Sequence, residues 1–331
     1  MNKEFKVLSV KEEQKLSTEE LKNYYKELRE YVLKRKLTNT TPGATTIAPK
    51  LKGITNKISE AVIKAFTSKD IEIVSDGQEN IPEGPVIFAR LHQGILDNFV
   101  WIPQTNKHSL LLHGQEVNKL LILCQLNTGL IFVKKGDKKN NNNAKLDMIR
   151  LLLEGHSITY FPEGTWNLSP NKLHLPLSYG VVDIAKKASV PIIPVVDEYT
   201  YDTSQKKETI VKIHSRYGKP IYVSEEDELL ERLAEYQDKI STLKYELIEE
   251  KGIFKRKEVT NLEYINFLKG CYKNLSLGKL NLIKEKENIF GANEEFYKFH
   301  HINDLPFDEQ GNLLDTEEVI KLKTLNKKHN I

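Results

Sequence analysis

Val86-Ile87-Phe88-Ala89-Arg90-Leu91-His92-Gln93-Gly94-Ile95-Leu96-Asp97 opens as a short apolar β-rich run and gives way to a helical pattern from Asn98 onward. The same alternation recurs along the middle of the chain. Apolar, β-branched runs at Ile71–Val74, Val86–Ala89, Leu110–Leu112, Gly129–Val133, Ser157–Phe161, Ile192–Val196 and Thr209–Ile213 predict strands. Helical patterns at Glu116–Leu126, Asn143–Glu154 and Val181–Ala188 fill the gaps. Strands separated by helices pair in parallel, so the chain is predicted to be α/β, with a mainly parallel central sheet flanked by helices.

An N-terminal helical pair and a helical C-terminal extension flank this middle. Ser17 and Glu20 have capping-box spacing and open a helix to about Leu37, with Leu21, Tyr25, Leu28 and Val32 on one face. Residues 38–50 read as a linker. A second helix follows, with Ile54, Ile58, Ala61, Val62, Ala65 and Phe66 on its stripe and Lys57 and Lys64 off it. An acidic helix is predicted from Ser224 to about Glu250. Mixed helix and loop come after Phe254, with 303–316 extended. The Asn140–Asn143 run beside Lys138 and Lys139 reads as a surface loop.

The 331 residues suit about two domains, and their 39% hydrophobic and 29% charged composition is that of a globular protein. The net charge of +3 divides into +7 over residues 1–69, +1 over 70–223 and −5 over 224–331. Those boundaries are the expected units: a basic amphipathic head, a catalytic domain and an acidic extension. A near-neutral whole excludes a general polyanion binder, so no nucleic acid is expected. Cys124 and Cys271 cannot build a disulfide framework, which fits a reducing cytosol. No apolar leader follows Met1, and the greasiest stretch, Leu120 to Val133, is too short to span a bilayer. No metal is expected, because His108, His113, His156, His174 and His214 lack partners at ligand spacing and His300-His301 adds none. Neither a phosphate loop nor a dinucleotide fingerprint is present.

Two segments carry the chemistry. His92 lies just past the C-terminal end of a strand, the edge where parallel sheets bind ligands. Asp97, in the first helical turn beyond, can accept from one imidazole nitrogen and leave the other as a general base. Phe161-Pro162-Glu163-Gly164-Thr165 ends a second strand; Glu163 and Thr165 offer an acceptor and a donor, and Gly164 permits close backbone approach. Taken alone, the first is a spacing that arises by chance and the second an ordinary turn.

Taken in order, the segments resemble the glycerolipid acyltransferase family, which includes 1-acylglycerol-3-phosphate acyltransferases. His92 and Asp97 match its His-x₄-Asp motif. Gly129 to Gly136 is similar to its second block, where a basic residue, here Lys135, helps hold the acceptor. Phe161, Pro162, Glu163, Gly164 and Thr165 match the third, and Val190-Pro191-Ile192-Ile193-Pro194-Val195 the fourth. The Gly77-to-Pro82 preamble is also typical. The resemblance covers about residues 70–222. It implies transfer of a fatty acyl group from an acyl thioester (coenzyme A or acyl carrier protein, a cosubstrate; no cofactor is implied) to an acceptor hydroxyl. It further implies His92 as general base, Asp97 as its orienter, and Gly94, Lys134, Trp166 and Pro191 as possible acceptor contacts, with Gly94 also a candidate oxyanion donor. Lys135 and Trp166 stand where the family usually has arginines. That leaves a glycan or amine acceptor open beside a lysophospholipid, and a catalytically dead lipid-binding protein is the alternative outside enzymes. The basic N-terminal helices either lie on the cytoplasmic face of an anionic membrane or pack on the catalytic domain.

Overall fold

The computed structural model describes residues 5–40, 71–94, 109–114, 129–134, 137–164, 172–202 and 209–250, with single positions that include Ile54, Lys57, Ala61, Asp97, Trp166 and Asn167. The helices expected from Asn98 and at 116–126, the residues Lys135 and Thr165, and everything after Glu250 lie outside the described residues.

Seven strands form one sheet: β1 (Glu72–Asp76), β2 (Ile87–Arg90), β3 (Ser109–Gly114), β4 (Leu130–Val133), β5 (Ser157–Tyr160), β6 (Ile192–Asp202) and β7 (Thr209–Tyr217). Their order is β1-β7-β6-β2-β5-β3-β4, and every pairing is parallel except the β6–β7 hairpin. The α/β, mainly parallel expectation is therefore met, with each predicted strand found. β2 is central. Ala89 lies opposite Tyr160 of β5 on one side and Pro194 of β6 on the other.

The described helices are α1 (Val10–Glu13), α2 (Thr18–Lys34), α3 (Lys138–Leu153), α4 (Gly180–Ala188) and α5 (Leu229–Glu250). Strand period two sends Ile87, Ala89, Leu91 and Ile192 into a large core shared with α2 to α5. Val86, Phe88, Ile193, Val195 and Tyr217 fill a smaller cluster on the other face. One core therefore runs from α2 to α5, across the boundaries at 69/70 and 223/224 that the charge distribution marks.

Local chemistry accounts for the element ends. Ser17 and Glu20 cap α2 reciprocally: the Ser17 N–H donates to Glu20 Oε2 (2.8 Å) and the Glu20 N–H to Ser17 Oγ (3.4 Å). The Asn140–Asn143 run is not a loop. Asp137 accepts from the Asn140 N–H at 2.9 Å and so starts α3 there, and the Asn140 and Asn141 side-chain oxygens take the Lys134 N–H. The acidic helix begins at Leu229 rather than Ser224, whose N–H turns onto Asp227 Oδ2 at 2.7 Å just before it. Gly77, at φ +78°, is required: a Cβ there would stand 2.1 Å from the Tyr217 carbonyl oxygen.

The apolar stripe of α2 does not face outward. Tyr25, Leu28 and Val32 are buried in the main core, so this helix takes the packing alternative and its stripe is covered by protein. A short helix that the periodicity did not reveal, α1, joins it and docks through Glu13 and Lys187 (2.8 Å). Arg29 Nε donates to the Lys187 carbonyl at 2.8 Å, capping the end of α4. Beyond α2 the chain is gathered by Asp147 of α3, fully buried, which accepts from the Arg35 guanidinium and from the N–H groups of Thr38 (2.8 Å) and Asn39 (2.7 Å). The Phe132 N–H then donates to the Asn39 carbonyl at 2.7 Å, and Thr40 bridges Ile131 antiparallel.

Removing that anchor tests its weight. Asp147→Ala strands the Arg35 charge and two backbone donors, and is expected to cost about 3–5 kcal/mol of stability, read as a lower denaturant midpoint. A change below about 1 kcal/mol would show that the segment is held elsewhere.

Candidate active site

β2, β5 and β6 are adjacent and parallel, so their C-terminal ends share one edge of the sheet. His92 follows β2 by two residues, and Phe161 to Glu163 follow β5 directly. Both expected segments therefore meet at the edge where the topology places ligands.

Asp97 is completely buried and is the hub. His92 Nδ1 lies 2.9 Å from its Oδ2, which also accepts the N–H groups of Gln93 (2.5 Å) and Gly94 (2.8 Å). The Tyr199 hydroxyl donates to the other oxygen, Oδ1. Burial alone would raise the Asp97 carboxyl. The His92 hydrogen bond, the charges of His92 and Arg90 and the Tyr199 hydroxyl together outweigh it and hold the group below the usual carboxylate range. An ionised Asp97 only accepts, so Nδ1 carries the proton and Nε2 its lone pair. Among the described residues Nε2 has no hydrogen-bond partner, and the His92 side chain is 14% exposed.

The third block holds the His92 loop in place. The His92 N–H donates to Glu163 Oε2 at 2.5 Å and the Leu175 N–H to Oε1 at 2.8 Å. The Asn167 N–H donates to the His92 carbonyl at 2.7 Å. Phe161 stacks on the imidazole with 4.2 Å between ring centres, and Trp166 meets it edge-on at 5.9 Å. The Pro162 carbonyl takes the Ser178 N–H at 2.9 Å. Gly164 turns the exposed chain at φ +65°.

Two expected contacts fall away from the cleft. The Gly94 N–H is committed to Asp97, so it is not available as an oxyanion donor. Pro191 precedes β6 and accepts the Ile87 N–H at the start of β2, the opposite edge from His92. The fourth block marks where a strand begins; what reaches the site lies at the strand's far end. Lys134 has an exposed side chain and a backbone tied to α3. Lys135 and Thr165, also expected at the site, are outside the described residues.

Sequence patterns do not reveal the layer beneath. Arg90, two residues before His92, is buried and grips Asp197 of β6 with Nε 2.5 Å from Oδ2, while its Nη2 reaches Ser215 Oγ at 3.0 Å. Lys244 of α5 pairs with Glu198 and with the Asp197 carbonyl. The available signal was a run of polar residues, Asp197, Glu198 and Tyr199, directly after the buried apolar stretch Ile192–Val196 of the same strand.

A family model described as Acyltransferase matches residues 72–197. A 1-acyl-sn-glycerol-3-phosphate acyltransferase of Borreliella burgdorferi is 32% identical over 133 residues, 38% of this chain and 50% of that protein. A chloroplastic 1-acyl-sn-glycerol-3-phosphate acyltransferase of Brassica napus is 26% identical over 136 residues, 40% of this chain and 38% of that protein. The chain thus spans half or less of the length of these curated relatives. A solved structure, a 1-acyl-sn-glycerophosphate acyltransferase from Thermotoga maritima, aligns over 73% of this chain and 98% of its own, with a TM-score of 0.43 and 19% identity.

Burial pushes the Glu163 carboxyl from the ordinary 4.5 up to about 8, against the pull of its two backbone donors and with Asp97 adding to the rise. A folded-state value above the unfolded one stabilises most at low pH. The Glu163 contribution is therefore complete below about pH 4.5 and lost as pH rises toward 8. Glu163→Gln should flatten the fall in melting temperature across that window; an unchanged slope would place the carboxyl in a wetter setting.

Proposed function

We propose that the chain, whose residues 72–197 match an acyltransferase family model, belongs to the glycerolipid acyltransferase family and transfers a fatty acyl group from acyl-CoA or acyl carrier protein to the free hydroxyl of a lysophospholipid of the 1-acylglycerol-3-phosphate type. The observation that carries the reading is the His92–Asp97 pair, with Nδ1 bound to a buried carboxylate and Nε2 left without a hydrogen-bond partner among the described residues.

The chemistry follows from that tautomer. Nε2 takes the proton of the acceptor hydroxyl as its oxygen attacks the thioester carbonyl, giving a tetrahedral oxyanion. Asp97 stabilises the imidazolium through Nδ1. Collapse of the intermediate breaks the C–S bond, and the departing thiolate receives the proton from Nε2. The ester oxygen bond is formed directly, with no acyl-enzyme. Phe161 and Trp166 pack the imidazole from two sides and keep its plane fixed.

Glu163 acts from beneath. Its oxygens are taken by the backbone of His92 and Leu175, so it positions the base rather than binding the acceptor. Lys135 remains the residue proposed to meet the acceptor phosphate, as a point charge. Trp166 is 5% exposed and packs on His92, which weakens the sugar-ring reading. The assembled dyad speaks against a dead lipid-binding protein.

A lipid acceptor also supports placing the protein peripherally on the cytoplasmic membrane face. With α2 packed inward, the contact is assigned to the helix expected from the sequence at Ile54 to Phe66, most of which lies outside the described residues; Ile54 itself is 55% exposed.

Two measurements test these readings. His92→Ala should lower transfer of labelled acyl groups from acyl-CoA or acyl carrier protein by about 10²–10⁴-fold. Undiminished transfer would end the mechanism. Ile54→Asp/Ile58→Asp should reduce flotation with anionic phosphatidylglycerol vesicles, and equal flotation would remove the membrane role of this helix.

A further inference from the structure

We infer that Tyr199 is a positioning residue for acyl transfer: its hydroxyl, reaching Asp97 Oδ1 from β6, locks the carboxylate that orients His92. The inference rests on the dyad reading above. It adds a residue from beyond the span that the family model matches.

The geometry separates its role from that of the local donors. His92 Nδ1, Gln93 N–H and Gly94 N–H lie within five residues of Asp97 and all act on Oδ2. A carboxylate held through one oxygen keeps a swing about that point. Tyr199, 102 residues away in sequence, holds the other oxygen. The ring that delivers the hydroxyl is 3% exposed, and its backbone is fixed opposite Ile213 of β7 just before the irregularity at Thr200/Tyr201. Two residues earlier on the same side of β6, Asp197 is gripped by Arg90 and by the Ser215 hydroxyl. β2 and β6 are thus tied twice, by Arg90–Asp197 in the sheet and by Asp97–Tyr199 at the dyad.

The charges around the dyad come from every neighbouring element. β2 presents Arg90, the segment after β5 presents Glu163, β6 presents Asp197 and Tyr199, β7 presents Ser215 and Tyr217, and α5 presents Lys244 toward Glu163. Arg90 is spent on Asp197. Tyr199 is the neutral donor that both holds the Asp97 carboxylate and takes up part of its charge. Without that hydroxyl the carboxylate draws harder on the imidazolium, which then holds its proton more tightly. The ring is buried, so removing its hydroxyl is expected to leave KM nearly unchanged.

Tyr199→Phe keeps the ring and removes only the donor. In ¹⁵N-histidine NMR, with the His92 signal identified by its loss in His92→Gln, the Tyr199→Phe protein should hold the imidazolium to higher pH than the parent does. The acid limb of the kcat/KM profile should move with it, and kcat should fall about tenfold with KM nearly constant. Tyr222→Phe, at a tyrosine that is 65% exposed, should change none of these. An unmoved His92 titration in a folded Tyr199→Phe protein overturns the inference, and so does a fall in kcat accompanied only by a lower melting temperature. Full turnover by His92→Ala would instead overturn the dyad reading, leaving the Tyr199–Asp97 coupling to be judged by NMR alone.

Discussion

Parallel pairing of β2 between β5 and β6 is the constraint on which the site depends. It brings His92, Glu163 and Tyr199, far apart in sequence, to one edge of the sheet. No local signal could do this, because side chains 71 and 102 residues apart meet only when their strands are neighbours in register. Hydrogen bonds between the loops then finish what the register begins. Glu163 holds the backbone of His92, and Asp97 gathers three donors from its own turn and one from a distant strand. The imidazole is thereby fixed by groups behind it.

What could be read from the sequence had a local cause. Alternating β-branched runs and helical stretches report the period of each element, so seven strands and their mainly parallel arrangement were legible. The His92–Asp97 pair was legible because its partners lie in one turn. Tyr199 and the Arg90–Asp197 pair were not, since their meaning lies in strand order. Pro191 shows the converse: the conspicuous residue of its motif stands just before β6, at the sheet edge opposite His92, while Tyr199 lies toward that strand's other end. The asparagine run misled by composition, because low complexity hides that a single Asp137 cap suffices to start a helix. The stripe on α2 was a true stripe. Periodicity identifies an apolar face but is silent on whether protein or lipid covers it.

The charge partition also changes meaning in three dimensions. The basic head does not stand apart from the acids of later segments. Lys22 meets Glu226 at 2.5 Å, Arg29 meets Glu225 at 2.6 Å, and Arg35 meets Asp147. The first pair is exposed and worth little energetically, whereas Asp147 is buried and gathers backbone as well as charge. Part of the head's +7 is therefore spent within the chain.

The short crossing of Asn39 and Thr40 over β4 has a further consequence. β4 ends the sheet, and an end strand displays unpaired backbone groups to any extended chain it meets. Asn39 and Thr40 occupy those groups at Ile131 and Phe132. The head thus acts as a built-in edge guard, covering the end of the sheet at β4, where another extended chain could add a strand.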